Sequence, residues 1–214
     1  VKIGVVAHIS RVRLADKLIR KVHAECCSVD KGHYGPQVNH HRVWSRLAKI
    51  TEPNEWAIVL EDDAVVQDGF REQAQAAFDS LPYEASLASL YLGQKRPPHW
   101  QERVAQAVGK ARAEDASWIV SEAVLHGVAI CMRGNMIHNM LDFVTRDSSL
   151  PIDDAIRYFS QSNSVECWYS HPSIVDHMDV PTIVKHPDGE IREKGRVAWD
   201  YGQRKVWTAR WVRM

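Results

Sequence analysis

The run Trp56-Ala57-Ile58-Val59-Leu60 ends abruptly in Glu61, Asp62 and Asp63, and a second apolar stretch, Ala64-Val65-Val66, follows at once. Ile58, Val59 and Leu60 suit a buried strand. Three adjacent carboxylates at its tip would repel one another in a dry core, so their charge has to be offset. A divalent cation does this, and hard oxygen ligands favour Mg²⁺ or Mn²⁺. The plainer alternative is a strand that runs into a solvated acidic turn.

The rest of the chain alternates in period. Lys2–Ala7 reads as a buried first strand, and Leu14, Leu18, Ile19 and Val22 have the spacing of a helix reaching about Glu25. Cys26–Val29 reads as a short strand ending at Asp30. Gly32, Gly35 and Pro36 punctuate a loop, and Val38–Ile50 forms a second helix with Trp44, Leu47 and Ile50 on one face. Helices are expected over Phe70–Phe78, Gln101–Ala113, Asn135–Val144 and Ile152–Phe159, and strands over Ala85–Leu92, Trp118–Val120 and Gly127–Met132. Lys95–Trp100 reads as a loop able to lie over a cleft. Strands alternating with helices predict an α/β layered domain.

At 214 residues the chain is long enough for one sizeable core. Lys plus Arg and Asp plus Glu number 27 each, so no global field draws in a polyanion. No apolar run approaches the ~18–20 residues of a membrane-spanning helix. The opening VKIGVVAHIS becomes polar too soon for a signal peptide. Cys26, Cys27, Cys131 and Cys167 lack a zinc-type spacing and are expected as reduced thiols of a cytoplasmic protein. From Lys185 on, 8 Lys/Arg face 4 Asp/Glu, interleaved with Trp199, Tyr201, Trp207 and Trp211. The expected organisation is therefore one domain over 1–184 and a basic, aromatic tail over 185–214 that packs on or near the acceptor side of the site.

Two neighbouring segments carry a family resemblance. GPQVNHHRVW, Gly35 to Trp44, resembles the GCxxSHxxxW signature of glycosyltransferase family 25, the lipopolysaccharide and collagen galactosyltransferase-like group. Gly35, His40 and Trp44 fall in register, whereas Pro36 stands for the usual Cys and Asn39 for the usual Ser. WAIVLEDDAVVQDGF, Trp56 to Phe70, is similar to the family's acidic segment. Further on, HGVAICMRGNMIHNML from His126 resembles a family strand and helix without its Tyr, and Leu150-Pro151-Ile152-Asp153-Asp154 resembles a proline–aspartate segment. The resemblance implies a GT-A-like (Rossmann-like) mixed sheet flanked by helices, a nucleotide-diphosphate sugar donor and an acidic metal motif. The chain is short for that family.

Such a transfer makes two chemical demands. Negative charge builds on the leaving diphosphate, which a metal clamp meets. In GT-A-like enzymes the last acid of the triplet is the ligand, which points to Asp63, with Glu61 or Asp62 on ribose or sugar hydroxyls. His177 is the candidate second ligand and His171 the reserve. The attacking hydroxyl must also lose a proton. Asp154, with Asp153 next to it, is the candidate base, although an aspartate here also suits a helix N-cap. A base attack implies inversion, by the same resemblance. His8, Ser10, Arg11 and Arg13 follow the first strand, where guanidinium can fork onto phosphate. Asp30 is a candidate for the base or ribose, and His40 for the acidic loop or the donor; Trp44 suits core packing. The acceptor is open between a glycan and a hydroxymethylated base in phage-type DNA, the latter suggested by the tail. The competing classes are a metal-dependent nuclease or phosphatase and a non-catalytic sugar-nucleotide-binding module.

Overall fold

The structure, a computed structural model, describes residues 1–145, 150–180, 183 and 195–214. In chain order the strands are β1 (Lys2–His8), β2 (Cys26–Asp30), β3 (Trp56–Glu61), β4 (Ala64–Val66), β5 (Leu87–Ser89), β6 (Trp118–Ser121), β7 (Ala129–Arg133), β8 (Cys167–Ser170), β9 (Val175–His177) and β10 (Trp211–Arg213). The α-helices are α1 (Val12–Val22), α2 (Gly35–Leu47), α3 (Phe70–Asp79), α4 (Gln101–Ala113), α5 (Gly134–Thr145) and α6 (Ile152–Ser162). Eight strands form one mixed sheet in the order β10-β6-β8-β5-β7-β3-β1-β2, and β4 pairs with β9 in a small second sheet.

β1 pairs in parallel with β2 and β3, while β7 runs antiparallel between β3 and β5. Strands covered on both faces need apolar side chains pointing both ways, which is why Trp56–Leu60 is a continuous buried run. Ala57 and Val59 face one core layer with Val43, Trp44 and Leu47 of α2; Ile58 and Leu60 face the other with Leu18 of α1 and Phe78 of α3. The α4, α5 and α6 helices share the first layer through Val104, Ile137 and Ile156. The result is an α/β domain with helices on both faces of one mixed eight-stranded sheet.

Close approach has its own sequence requirement. A Cβ on Gly4 would sit 2.4 Å from Val43 Cγ1, so β1 and α2 come together only over a glycine. Gly134 is similarly confined: a Cβ there would lie 2.2 Å from the Glu52 carbonyl oxygen, where backbone must move. Gly134→Ala is expected to cost about 1–3 kcal/mol, read as a lower urea midpoint; an unchanged midpoint would mean that the 51–55 turn shifts freely.

Most predicted elements form, with informative differences. The second helix starts at Gly35 and ends at Leu47, leaving Ile50 exposed rather than on the buried face. Thr51 N–H and its hydroxyl both bond the Leu47 carbonyl, which closes the helix early. The predicted strand over Ala85–Leu92 is pared to Leu87–Ser89 because the following residues hydrogen-bond elsewhere. The Leu90 carbonyl accepts from Val175 N–H, and Leu92 N–H donates to Ser173 Oγ. The expected boundary at 184/185 lies outside the described residues. The described part of the tail is woven into the domain: β10 extends the main sheet beside β6, and Trp199 and Trp207 pack on the two core layers. Among the described residues no helix is long and apolar enough to cross a membrane.

Candidate functional site

The parallel register of β1, β2 and β3 carries His8, Asp30 and Glu61 to the same end of the sheet. That end, where chains turn from strand to helix, is where α/β sheets bind ligands. Glu61 closes β3; Asp62 and Asp63 make the turn into β4, and β4 pairs antiparallel with β9 so that Ala64 stands opposite His177. Met178 N–H donates to the Asp63 carbonyl at 2.8 Å, fixing that turn against β9. His177 Nε2 thereby comes to 3.4 Å from Asp63 Oδ2, and both residues are buried.

A neutral nitrogen lone pair facing a carboxylate oxygen needs a proton or a cation between them. Two ligands each about 2.1 Å from one ion lie about 3.4 Å apart at an angle near 110°. The pair therefore fits a shared ion, and Asp63 Oδ1 is a buried oxygen with no hydrogen-bond partner among the described residues. Among the described residues, however, no three His, Cys, Asp or Glu side chains gather to hold a metal.

The three acids are not equivalent. Glu61 is held below the usual carboxylate range: burial pushes it up, but the His40 contact, with Nε2 3.4 Å from Oε1, outweighs that, aided by the charges of His177 and Arg11. Asp63 is raised, by burial first and then by the charge of Glu61, against the pull of His177 and Arg11. Asp62 is raised by burial as well, although it accepts from His8 N–H at 2.8 Å and Arg11 Nη1 at 3.1 Å. Asp62 thus ties the β1 end to the acidic turn, a scaffolding position rather than the expected hold on a sugar hydroxyl.

Arg11 ends a short 3-10 turn, Ile9–Arg11, after β1. Its Nη1 also reaches Asp63 Oδ2 at 2.5 Å. The guanidinium expected on phosphate lies on the two carboxylates. Arg13 points to solvent from α1. Ser10 is exposed and bonds His8 Nδ1 through its hydroxyl at 2.8 Å.

Asp30 departs from the expectation most clearly. Its Oδ1 accepts from Gly32, His33 and Tyr34 N–H, and its Oδ2 accepts from Gly35 N–H. Those four donors outweigh burial and lower its pKa. The carboxylate organises the loop into α2 instead of facing a base or ribose. His40 reaches the acidic segment as expected, while its Nδ1 is buried without a partner among the described residues. Trp44 is core, as expected.

The adjacent aspartates on α6 separate in role. Asp154 pairs with Arg157 at 2.9 Å, one turn along the helix, which accounts for it structurally. Asp153 is pushed up to about 6 by burial, then by the charges of Asp154 and Glu61. Its Oδ1 accepts from Asp154 N–H at 3.1 Å, and, behind burial, the charge of Glu61 is among the causes of its raised pKa. The reserve ligand His171 is also accounted for: Nε2 is 2.9 Å from Asp200 Oδ2 and Nδ1 is 3.1 Å from the Ala116 carbonyl.

Three residues were not anticipated. His126 accepts from Gly93 N–H through Nε2 at 3.1 Å, and burial, with His177 adding, pushes its pKa down to about 3, so it is neutral. Its ring packs edge-on against Tyr91, whose hydroxyl donates to the Arg196 carbonyl at 2.8 Å. A Cβ on Gly127 would lie 2.9 Å from Glu61 Oε1, so glycine leaves room for that carboxylate. The sole sequence signal was the His-Gly step just before β7.

The tail divides likewise. Ala198, in its described part, lies against β9, its N–H donating to Asp176 Oδ1 at 2.7 Å. The tail's end forms the far edge of the sheet, five strands from β3. The Arg204 guanidinium donates to the Ala116 and His171 carbonyls and to Asp115 Oδ1 at 2.5 Å. Arg210 donates to the Glu114 carbonyl, and Trp207 packs against Trp118. Arg204, Arg210 and Trp207, among the residues that suggested nucleic acid, are engaged in these internal contacts, whereas Lys205 is exposed.

No protein-family profile matches this chain, and no curated protein matches it. Among solved structures, the crystal structure of A197 from STIV is similar at 12% identity, with a TM-score of 0.47, over 96% of this chain and 98% of that one. Likeness at that level carries no argument about the site.

Proposed function

We propose that the protein is a metal-dependent glycosyltransferase of GT-A-like architecture that moves a sugar from a nucleotide diphosphate to an acceptor hydroxyl, with inversion. The observation that carries this reading is the buried Asp63–His177 pair at 3.4 Å, assembled by segments distant in sequence at the strand ends where α/β sheets generally bind ligands. Two protein ligands leave most positions of an octahedral ion to other oxygens, which a diphosphate supplies. The residue resemblance of Gly35–Trp44 and Trp56–Phe70 supports the same class.

Mn²⁺ or Mg²⁺ held by Asp63 and His177 would supply Lewis-acid stabilisation of the leaving diphosphate. Glu61, kept ionised by His40, is an acceptor for a donor hydroxyl. Asp62 holds the acidic turn to the β1 end. Asp153 is the favoured base: the acceptor hydroxyl gives its proton to this carboxylate as its oxygen bonds the anomeric carbon and the carbon–phosphate-oxygen bond breaks. A glycan is the favoured acceptor class, because Arg204, Arg210, Trp207 and Trp118 are engaged with one another's segments.

A thermal-shift panel of nucleotide sugars with and without Mn²⁺ tests the reading. A matching donor at a hundredfold excess over its Kd adds about 2.7 kcal/mol of stability. The expected result is a large Mn²⁺-dependent shift confined to one donor class. A panel in which no donor shifts the protein in either condition would refute the proposal, and release of nucleotide from DNA would favour a nuclease instead.

A further inference from the structure

We propose that Arg11 is a cation placeholder in the acidic turn, yielding Asp63 only when metal and diphosphate arrive together, so that neither binds well alone. This rests on the metal-dependent reading above and deepens it. One guanidinium nitrogen serves both buried carboxylates, at 3.1 Å from Asp62 Oδ1 and 2.5 Å from Asp63 Oδ2. The same Asp63 oxygen is the one 3.4 Å from His177 Nε2. An ion between Asp63 and His177 would therefore sit beside a guanidinium held on its own ligand, and two cations on one oxygen repel strongly where water is excluded.

Three features make Arg11 able to yield. It stands on a short 3-10 turn rather than inside a helix. It holds Asp62 as well as Asp63, so it can give up one carboxylate and keep the other. A diphosphate brought to the strand ends offers planar oxygen pairs that guanidinium binds in a fork. A metal alone meets the repulsion with no compensation; a metal carrying a diphosphate brings the group onto which Arg11 moves. The consequence is positive coupling between the two ligands, which falls typically in the range of about 5–150-fold.

Titration of Mn²⁺ by electron paramagnetic resonance, with and without inorganic pyrophosphate, tests this on the full chain. The parent protein is expected to bind Mn²⁺ weakly alone and at least about tenfold more tightly with pyrophosphate. Arg11→Gln is expected to bind Mn²⁺ alone at least about tenfold more tightly than the parent, with the coupling reduced to a few-fold. Arg11→Lys, which keeps the charge without the fork, should bind Mn²⁺ alone as weakly as the parent. Equal or weaker Mn²⁺ binding by Arg11→Gln, or Arg11→Lys binding as tightly as Arg11→Gln, would overturn the placeholder while leaving the metal reading intact. Failure of all three proteins to bind Mn²⁺, even with pyrophosphate, would overturn both.

Discussion

Asp63→Asn is expected to lower turnover of the matching nucleotide sugar by about 10³-fold or more, since several kcal/mol of charge stabilisation depend on the ion it would hold. The side chain is buried beside His177, and its Oδ1 has no partner among the described residues. An amide is nearly isosteric but a poor ligand for a hard cation. The fold should survive. Burial, then the charge of Glu61, raises the Asp63 pKa, so carrying this charge costs the folded state relative to the unfolded one. Removing that charge is neutral or stabilising, and Asp62 retains Arg11. The signature is thus a melting temperature unchanged or raised, together with loss of the Mn²⁺-dependent shift. A variant that keeps that shift undiminished would remove Asp63 from the ligand set.

Asp153→Asn separates chemistry from binding. A positioned general base contributes about 10²–10⁴-fold, and a loss of that size is expected while Mn²⁺ and donor still bind. Burial, with Asp154 and Glu61 adding to it, raises Asp153 to about 6, so parent activity should climb with pH through that value. The variant's residual activity should lack the climb. Stability moves the other way. A carboxyl raised above its ordinary 3.8 binds more protons folded than unfolded between the two values, so the native state loses stability as pH rises from about 4 to about 6. The upper limit is about 3 kcal/mol, and partial exposure reduces it to about 1–2 kcal/mol. Asp153→Asn should therefore melt higher than the parent at pH 7.5 and equally at pH 3. Turnover unchanged within a few-fold would rule Asp153 out as the base.

The acidic segment was legible because its signal is local. A run of apolar residues ending in three carboxylates can be read within a dozen positions, and the strand, the turn and the two cores on either side follow from it. The helices over Gln101–Ala113 and Phe70–Asp79 were legible for the same reason, since their period repeats inside each segment. Asp30 shows the limit. An aspartate at a strand end looks the same whether it faces a ribose or four backbone N–H groups of the next loop. Arg204 shows it again, because a basic, aromatic tail has the same composition on solvent as when it donates to three distant carbonyls. His126 was invisible as a candidate because its partner, Gly93 N–H, lies on another segment.

Sequence by itself determined the α/β class, the buried third strand and the presence of anionic charge at its tip, because periodicity and runs act between near neighbours. Tertiary structure alone decided which of those charges meet His177 and Arg11, that Asp154 pairs with Arg157, and that Asp30 and His171 turn inward. Those outcomes are settled by competition among donors and acceptors far apart in the chain, and that competition begins only once β4 has found β9 and the sheet has brought its strand ends together.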